Sequence, residues 1–115
     1  MKFEFQNLPV YKKAKDFHNQ AKAVVVQKNL NSYEKDLLSR ASFSVVLNIA
    51  EGSGRFSKKD RQNFFVITRS SVFECVAILD VLKDNNVISH EEFEKMETMA
   101  VGLSRILYAM IKNLS

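Results

Sequence analysis

A chain of 115 residues has room for one hydrophobic core, since two would each be too small to offset the entropy of ordering them. Its 46% hydrophobic and 26% charged residues exclude a disordered chain, and only three glycines and one proline point to long regular elements joined by short turns. A net charge of +4 permits an acidic partner such as nucleic acid without demanding one, and a single cysteine excludes an intramolecular disulfide.

Met1 to Asn7 lacks the uninterrupted apolar stretch of a signal peptide. No segment offers the roughly 18 apolar residues needed to cross a bilayer. A cytoplasmic location with no membrane partner is the expectation. Pro9 suits a first helical turn, where its missing N–H costs nothing. From there Val10, Ala14, Phe17, Ala21, Val24 and Val25 recur at helical spacing, with Lys12, Lys15, Asp16, Asn19 and Lys22 opposite. The first helix, residues 9–28, is therefore amphipathic with one apolar stripe.

Asn29 to Ser32 forms a turn, and Asn31 with Glu34 reads as a capping box opening a second helix over residues 33–51. This helix is apolar on two faces: Leu37, Leu38, Ala41, Val45 and Ile49 on one, Phe43, Val46, Leu47 and Ala50 on the other. Gly52 and Gly54 are expected to end it through positive φ. Ser57 with Asp60 opens a third helix over residues 58–84, again two-faced. Phe64, Thr68, Ser71, Val72, Cys75, Leu79 and Leu82 form one stripe, and Val66, Phe73, Ala77 and Val81 the other. Asp84-Asn85-Asn86 breaks it. Ser89 with Glu92 is a clean capping box for a fourth helix over residues 90–114. Its seam runs through Phe93, Met96, Ala100, Leu103, Leu107, Met110 and Leu114.

Four such helices with short connections predict an all-α, antiparallel up-down-up-down four-helix bundle occupying the whole of residues 1–115. The first and fourth helices each supply one stripe to its core. The second stripes have no partner inside the chain, and an apolar patch of that size marks an interface. Phe43, Val46, Leu47, Ala50, Val66, Phe73, Ala77 and Val81 are thus expected to form a homo-oligomer contact.

Two blocks of sequence then stand out. Asn48-Ile49-Ala50-Glu51-Gly52-Ser53-Gly54-Arg55, followed by Ser57 and Lys59-Asp60, and Arg69-Ser70-Ser71-Val72 followed by Glu74, resemble the two conserved blocks of a four-helix-bundle family first noticed in intervening sequences of bacterial 23S rRNA genes. The resemblance covers residues 8 to 114 in outline. Val46 stands where that family commonly has Pro, and Ser70 where it commonly has Gly, which implies straighter helices that approach less closely there. The resemblance implies a homopentameric ring, and similarity to accessory proteins of diversity-generating retroelements, which bind nucleic acid and a reverse transcriptase.

The candidate residues fall into two groups. Arg55, Lys58, Lys59 and Arg61 sit at a turn and a helix start, where cations and free N–H groups suit phosphate. The charge of the chain is uneven in the same sense: residues 1–61 carry 12 Lys+Arg and 6 Asp+Glu, residues 62–115 carry 5 and 7. The plainer reading is a solvated basic loop. Asn48, Glu51, Arg69 and Glu74 lie on helices too apolar to leave them unpaired, and are expected to pair with each other or with Arg55 in a polar network between helices or subunits.

Catalytic and cofactor chemistry find no constellation here. A di-metal carboxylate bundle needs Glu-x-x-His, yet Lys15 precedes His18 and Val87 precedes His90 at that spacing. His18 reads as a residue at the core's edge, Cys75 as a buried inert thiol, and Met96, Met99 and Met110 as core filler. Gly52-x-Gly54 follows a helix instead of a strand and lacks the lysine of a phosphate loop. The expected function is a non-enzymatic oligomeric protein, without metal or cofactor, whose basic rim binds RNA, DNA or a nucleic-acid enzyme. The alternative is a purely structural or protein-interaction module with no nucleic-acid binding.

Overall fold

The computed structural model describes residues 2–115, which form four helices and no strand: α1 (Pro9–Gln27), α2 (Ser32–Ser53), α3 (Lys58–Asp84) and α4 (His90–Asn113). A short 3-10 turn, Glu4–Asn7, precedes them. It sets Phe5 edge-on against Tyr11 at the start of α1, with ring centroids 4.9 Å apart. The molecule measures 44 × 26 × 22 Å, a length set by the 27 residues of α3.

Local chemistry places the helix starts. Asn31 accepts from the Glu34 backbone N–H at 2.9 Å while the Glu34 carboxylate accepts from the Asn31 N–H at 3.0 Å. Ser89 and Glu92 repeat this exchange at 3.0 and 2.8 Å. Ser57 accepts from the Asp60 N–H at 3.0 Å, and no reciprocal bond accompanies it. Each satisfies donors that the first helical turn leaves unpaired.

The helix ends differ from the expectation. No glycine has positive φ among the described residues, and α2 runs unbroken through Gly52 to Ser53. With Val46 in the family's proline position, the helical hydrogen-bond ladder has no missing donor there. The one positive-φ residue among the described residues is Asn86, at φ 60° after α3. There the Val87 N–H donates to the Leu82 carbonyl at 2.9 Å and the Asn86 N–H to the Lys83 carbonyl at 3.0 Å. This pair of bonds turns the chain into α4, and an asparagine tolerates the left-handed conformation it requires.

Gly52 serves packing instead. A Cβ built there lies 2.8 Å from Phe64 Cβ and 2.9 Å from Phe65 Cε1. The end of α2 therefore rests directly against the start of α3. Farther along, Ser44 and Ser71 share a hydrogen bond at 3.0 Å across the same pair of helices. The start of α3 lies beside the end of α4, where Gln62 Nε2 donates to the Ile111 carbonyl at 3.1 Å. Lys28, just past the end of α1, holds Glu92 at the start of α4 at 2.8 Å. That hydrogen-bonded partner keeps the Glu92 carboxyl below its ordinary range.

The core draws on all four helices. Phe17, Leu38, Val45, Ile49, Val72, Leu79, Leu82, Leu103 and Leu107 are fully buried in it. The stripes of α1 and α4 match the sequence expectation, whereas the two-faced helices require corrections. Val46, expected on the outer face, is only 6% exposed and packs in the core, whereas Leu37, expected inside, is 43% exposed. On α3 it is Phe65 that is buried, and Phe64 is half-buried. A helix apolar all round can be rotated by one residue without changing its composition, and packing decides which stripe turns inward.

Replacing Gly52 by Ala should cost about 1–3 kcal/mol, because the added methyl meets the fixed Cβ of Phe64 and the ring of Phe65. Gly54→Ala, whose nearest neighbour would lie 3.6 Å away, should be neutral or slightly stabilising. Denaturant melts at one fixed protein concentration read both, and a Gly52→Ala protein as stable as its parent would show that the helices do not approach this closely.

Candidate functional site

The connection between α2 and α3 is only four residues long, and with the first turn of α3 it carries the basic cluster. Gly54 N–H donates to the Glu51 carbonyl at 3.1 Å and Arg55 N–H to the Gly52 carbonyl at 3.2 Å, closing the helix end. Arg61 Nε then donates to the Arg55 carbonyl at 2.7 Å and braces the turn from the far side. Arg55 lies 4.5 Å over the Phe64 ring and 3.8 Å from Glu51. These two arginines are therefore partly committed to the turn itself. Lys58 and Lys59 are exposed and have no hydrogen-bond or ion-pair partner among the described residues. The structure thus gathers all four predicted cations at one end of the molecule and divides them into two that brace and two that are free.

Phe56 projects from the middle of this turn and is 100% exposed. With Ala50, Glu51, Gly54, Arg55, Ser57 and Asp60 it lines an open hollow. Sequence reasoning passed over it, although an aromatic flanked by Arg55, Lys58 and Lys59 was the available signal.

The four expected network residues do not converge within the chain. Asn48 Nδ2 donates to the Ser44 carbonyl at 2.9 Å and the Ser44 hydroxyl at 2.8 Å. Through the Ser44–Ser71 bond it joins α2 to α3, a polar link whose serine members the sequence reading did not assign. The Glu51 side chain is 58% exposed and faces only Arg55. Arg69 lies on the opposite flank of α3, donating to the Ser104 carbonyl at 3.4 Å with its guanidinium 4.8 Å from the Phe73 ring and 5.6 Å from the Tyr108 ring. Glu74 is exposed and has no ion-pair or hydrogen-bond partner among the described residues. The expected pairing of Glu51 with Arg55 is thus present, at a position open to solvent.

The expected oligomer face divides likewise. Val66, Phe73, Ala77 and Val81 are exposed along α3, with Phe73 at 55%. They continue onto α4 at Val101 and Tyr108, across a groove of about 350 Å³ lined by Val72, Phe73, Val76, Ala77 and Val101. On α2, Phe43 and Leu47 are exposed and Ala50 is half-buried. Phe43 leans on the His18 ring, with centroids 5.2 Å apart. Val46 leaves this face for the core. Exposed apolar side chains thus lie both on α2 and on α3 and α4.

The remaining reactive groups are inward or occupied. His18 Nδ1 lies 2.8 Å from the Ser42 hydroxyl, and burial, with Lys22 nearby, pushes its pKa down. Cys75 is fully buried, and burial pushes its thiol up to about 12, leaving it protonated at neutral pH. His90 Nε2 meets Glu94 at 2.7 Å on the exposed side of α4. No helix is long and apolar enough to cross a membrane among the described residues.

Comparison with known proteins places this arrangement. The sequence pattern of the 23S rRNA-intervening sequence proteins matches residues 6–109, and the chain belongs to that family. A solved structure from the S23 ribosomal protein family of Bacteroides thetaiotaomicron, a protein of unknown function, superposes with a TM-score of 0.81 at 22% sequence identity. The match covers 90% of this chain and 98% of that one, and at this identity it speaks for the fold. No curated protein matches the chain.

The contrast between the polar residues is open to measurement. Asn48→Ala should lower stability by about 1 kcal/mol, because it removes the amide that ties Ser44 into the α2–α3 contact. Glu51→Ala should stay within about 0.5 kcal/mol of the parent, as for other exposed charges. Chemical denaturation of the two variants side by side checks this, and the reverse ranking would place Glu51 in a buried contact between subunits.

Proposed function

We propose that this member of the 23S rRNA-intervening sequence protein family is a non-enzymatic, oligomeric, antiparallel up-down-up-down bundle that binds nucleic acid, or an enzyme acting on it, through a basic rim. The observation that carries the reading is the α2–α3 turn, where Lys58 and Lys59 stand exposed and unpaired beside Arg55 and Arg61. Lysine in a first helical turn opposes the helix dipole, so this placement is locally unfavourable and is accounted for by an anionic partner. The family's name, taken from a 23S rRNA context, points the same way.

Assembly is part of the proposal. Exposed apolar side chains both on α2 and across α3 and α4 suit a head-to-tail contact, which closes into a ring when the rotation permits. The family resemblance supports five as the number. A ring repeats the basic turn around one rigid body, and several weak phosphate sites then act with an avidity no single copy has. The rival reading, a structural or protein-interaction module, draws on the internal use of Arg55 and Arg61 and on the apolar groove between α3 and α4.

In dilute solution, light scattering behind a sizing column should report several subunits, five on this reading. Phe73→Glu should shift the population toward smaller species and Lys15→Glu should not. A clean 13.2 kDa species at micromolar concentration contradicts the assembly.

For binding, gel shift with single-stranded, duplex and structured RNA and DNA over a salt series tests the proposal. Affinity should fall with salt at a log–log slope of about −0.7 per single-strand phosphate contacted. Lys58→Glu with Lys59→Glu should weaken every sequence alike, with oligomer size unchanged, since phosphate contacts carry no sequence information. Absence of binding at low salt leaves the structural module as the better reading.

A further inference from the structure

We infer that Phe56 is a stacking platform for an unpaired base, so that the basic turn takes single-stranded nucleic acid in preference to duplex. The inference rests on the reading of this turn as a phosphate-binding surface and adds to it the strand state of the ligand.

The argument begins with the cost of leaving Phe56 where it is. A phenylalanine ring left wholly in water forgoes all the stabilisation its burial would bring. Nothing in the turn needs an aromatic there. The helix end is closed by backbone bonds of Gly54 and Arg55, the α3 start by Ser57, and the brace by Arg61 to the Arg55 carbonyl. Phe56 takes part in none of these. Its neighbour Phe64, by contrast, is half-buried and covered on one face by the Arg55 guanidinium at 4.5 Å.

The surroundings identify what covers the ring. Arg55, Lys58, Lys59 and Arg61 against Asp60 and Glu51 give this turn an excess of positive charge. An apolar ring among cations is poorly matched to an apolar protein surface, where each cation would have to be desolvated. It suits a polymer that alternates charged phosphates with flat, uncharged faces. Single strands offer those faces freely, and aromatic side chains beside basic grooves hold them with little regard to base identity. In a duplex the faces are already stacked on one another, so Phe56 finds none to cover. The four-residue connection between α2 and α3 holds the backbone of Phe56 close to the lysines, within reach of one strand.

The chain contains no tryptophan, so Phe56→Trp introduces a single reporter per subunit at the proposed contact. The experiment uses the full-length protein with fluorescently labelled oligouridine and oligothymidine of about 20 nucleotides, and mixed-sequence duplexes of the same length, under one low-salt condition. Phe56→Ala should weaken single-strand binding by about five-fold or more, leave duplex binding and the salt slope unchanged, and keep the subunit number. Phe56→Trp should retain single-strand affinity, and its emission should be quenched by the single strand and not by the duplex. If Lys58→Glu with Lys59→Glu abolishes binding while Phe56→Ala binds like the parent, the stacking role is overturned and the phosphate-binding reading stands. If Phe56→Ala instead lowers the subunit number, the ring belongs to a contact between copies, which also overturns it. A parent protein that binds neither form of nucleic acid overturns both readings together.

Discussion

The contact between the end of α2 and the start of α3 is the constraint on which the rest of this molecule depends. At Gly52 the two helices leave no room for a single methyl group against Phe64 and Phe65. Protein interiors are packed too densely to absorb such an intrusion without moving a side chain or the backbone. That approach fixes where α2 can end, and the connection to α3 then has only four residues in which to turn. Everything basic in the candidate site is carried on this turn or on the first helical turn after it. The packing constraint and the candidate surface are therefore two sides of one feature.

The same contact explains how the charges divide. Arg61 caps the Arg55 carbonyl and Arg55 covers Phe64, so two of the four cations hold the turn in shape. An arginine is well suited to that task, since its planar head can lie on a ring and donate along its edge. The lysines have no such geometry and stay in solvent. Under the proposed function the division is useful: a turn braced from within presents Lys58, Lys59 and Phe56 at low entropic cost on binding.

Local patterns made the helices legible in the sequence. A capping box lies within four residues, so Asn31 with Glu34 and Ser89 with Glu92 could be read directly, and the stripes of α1 and α4 admit one inward face. What was hidden depends on contacts between distant residues. The choice between Val46 and Leu37 for the core of α2 is made by α1 and α3, not by the helix's own composition. Gly52 looked like a helix terminator because glycine commonly is one; only the approach of Phe64 and Phe65 shows that its lack of a side chain is what matters. Asn86, read as part of a polar break, proved to be the residue that adopts the left-handed turn. The polar residues were legible in part: Glu51 meets Arg55 as expected, though in solvent, whereas Asn48 bonds Ser44 one turn back.

The central claim is that the α2–α3 turn is the surface the protein uses. Amide hydrogen exchange on the full chain, with and without saturating single-stranded RNA, tests it most directly, because protection reports which backbone segments a partner orders or covers. The account predicts slower exchange confined to residues 54–61, with the exposed stripe of α3 unchanged. Protection on the lysine face of α1, or none anywhere while the strand is demonstrably bound, would contradict it.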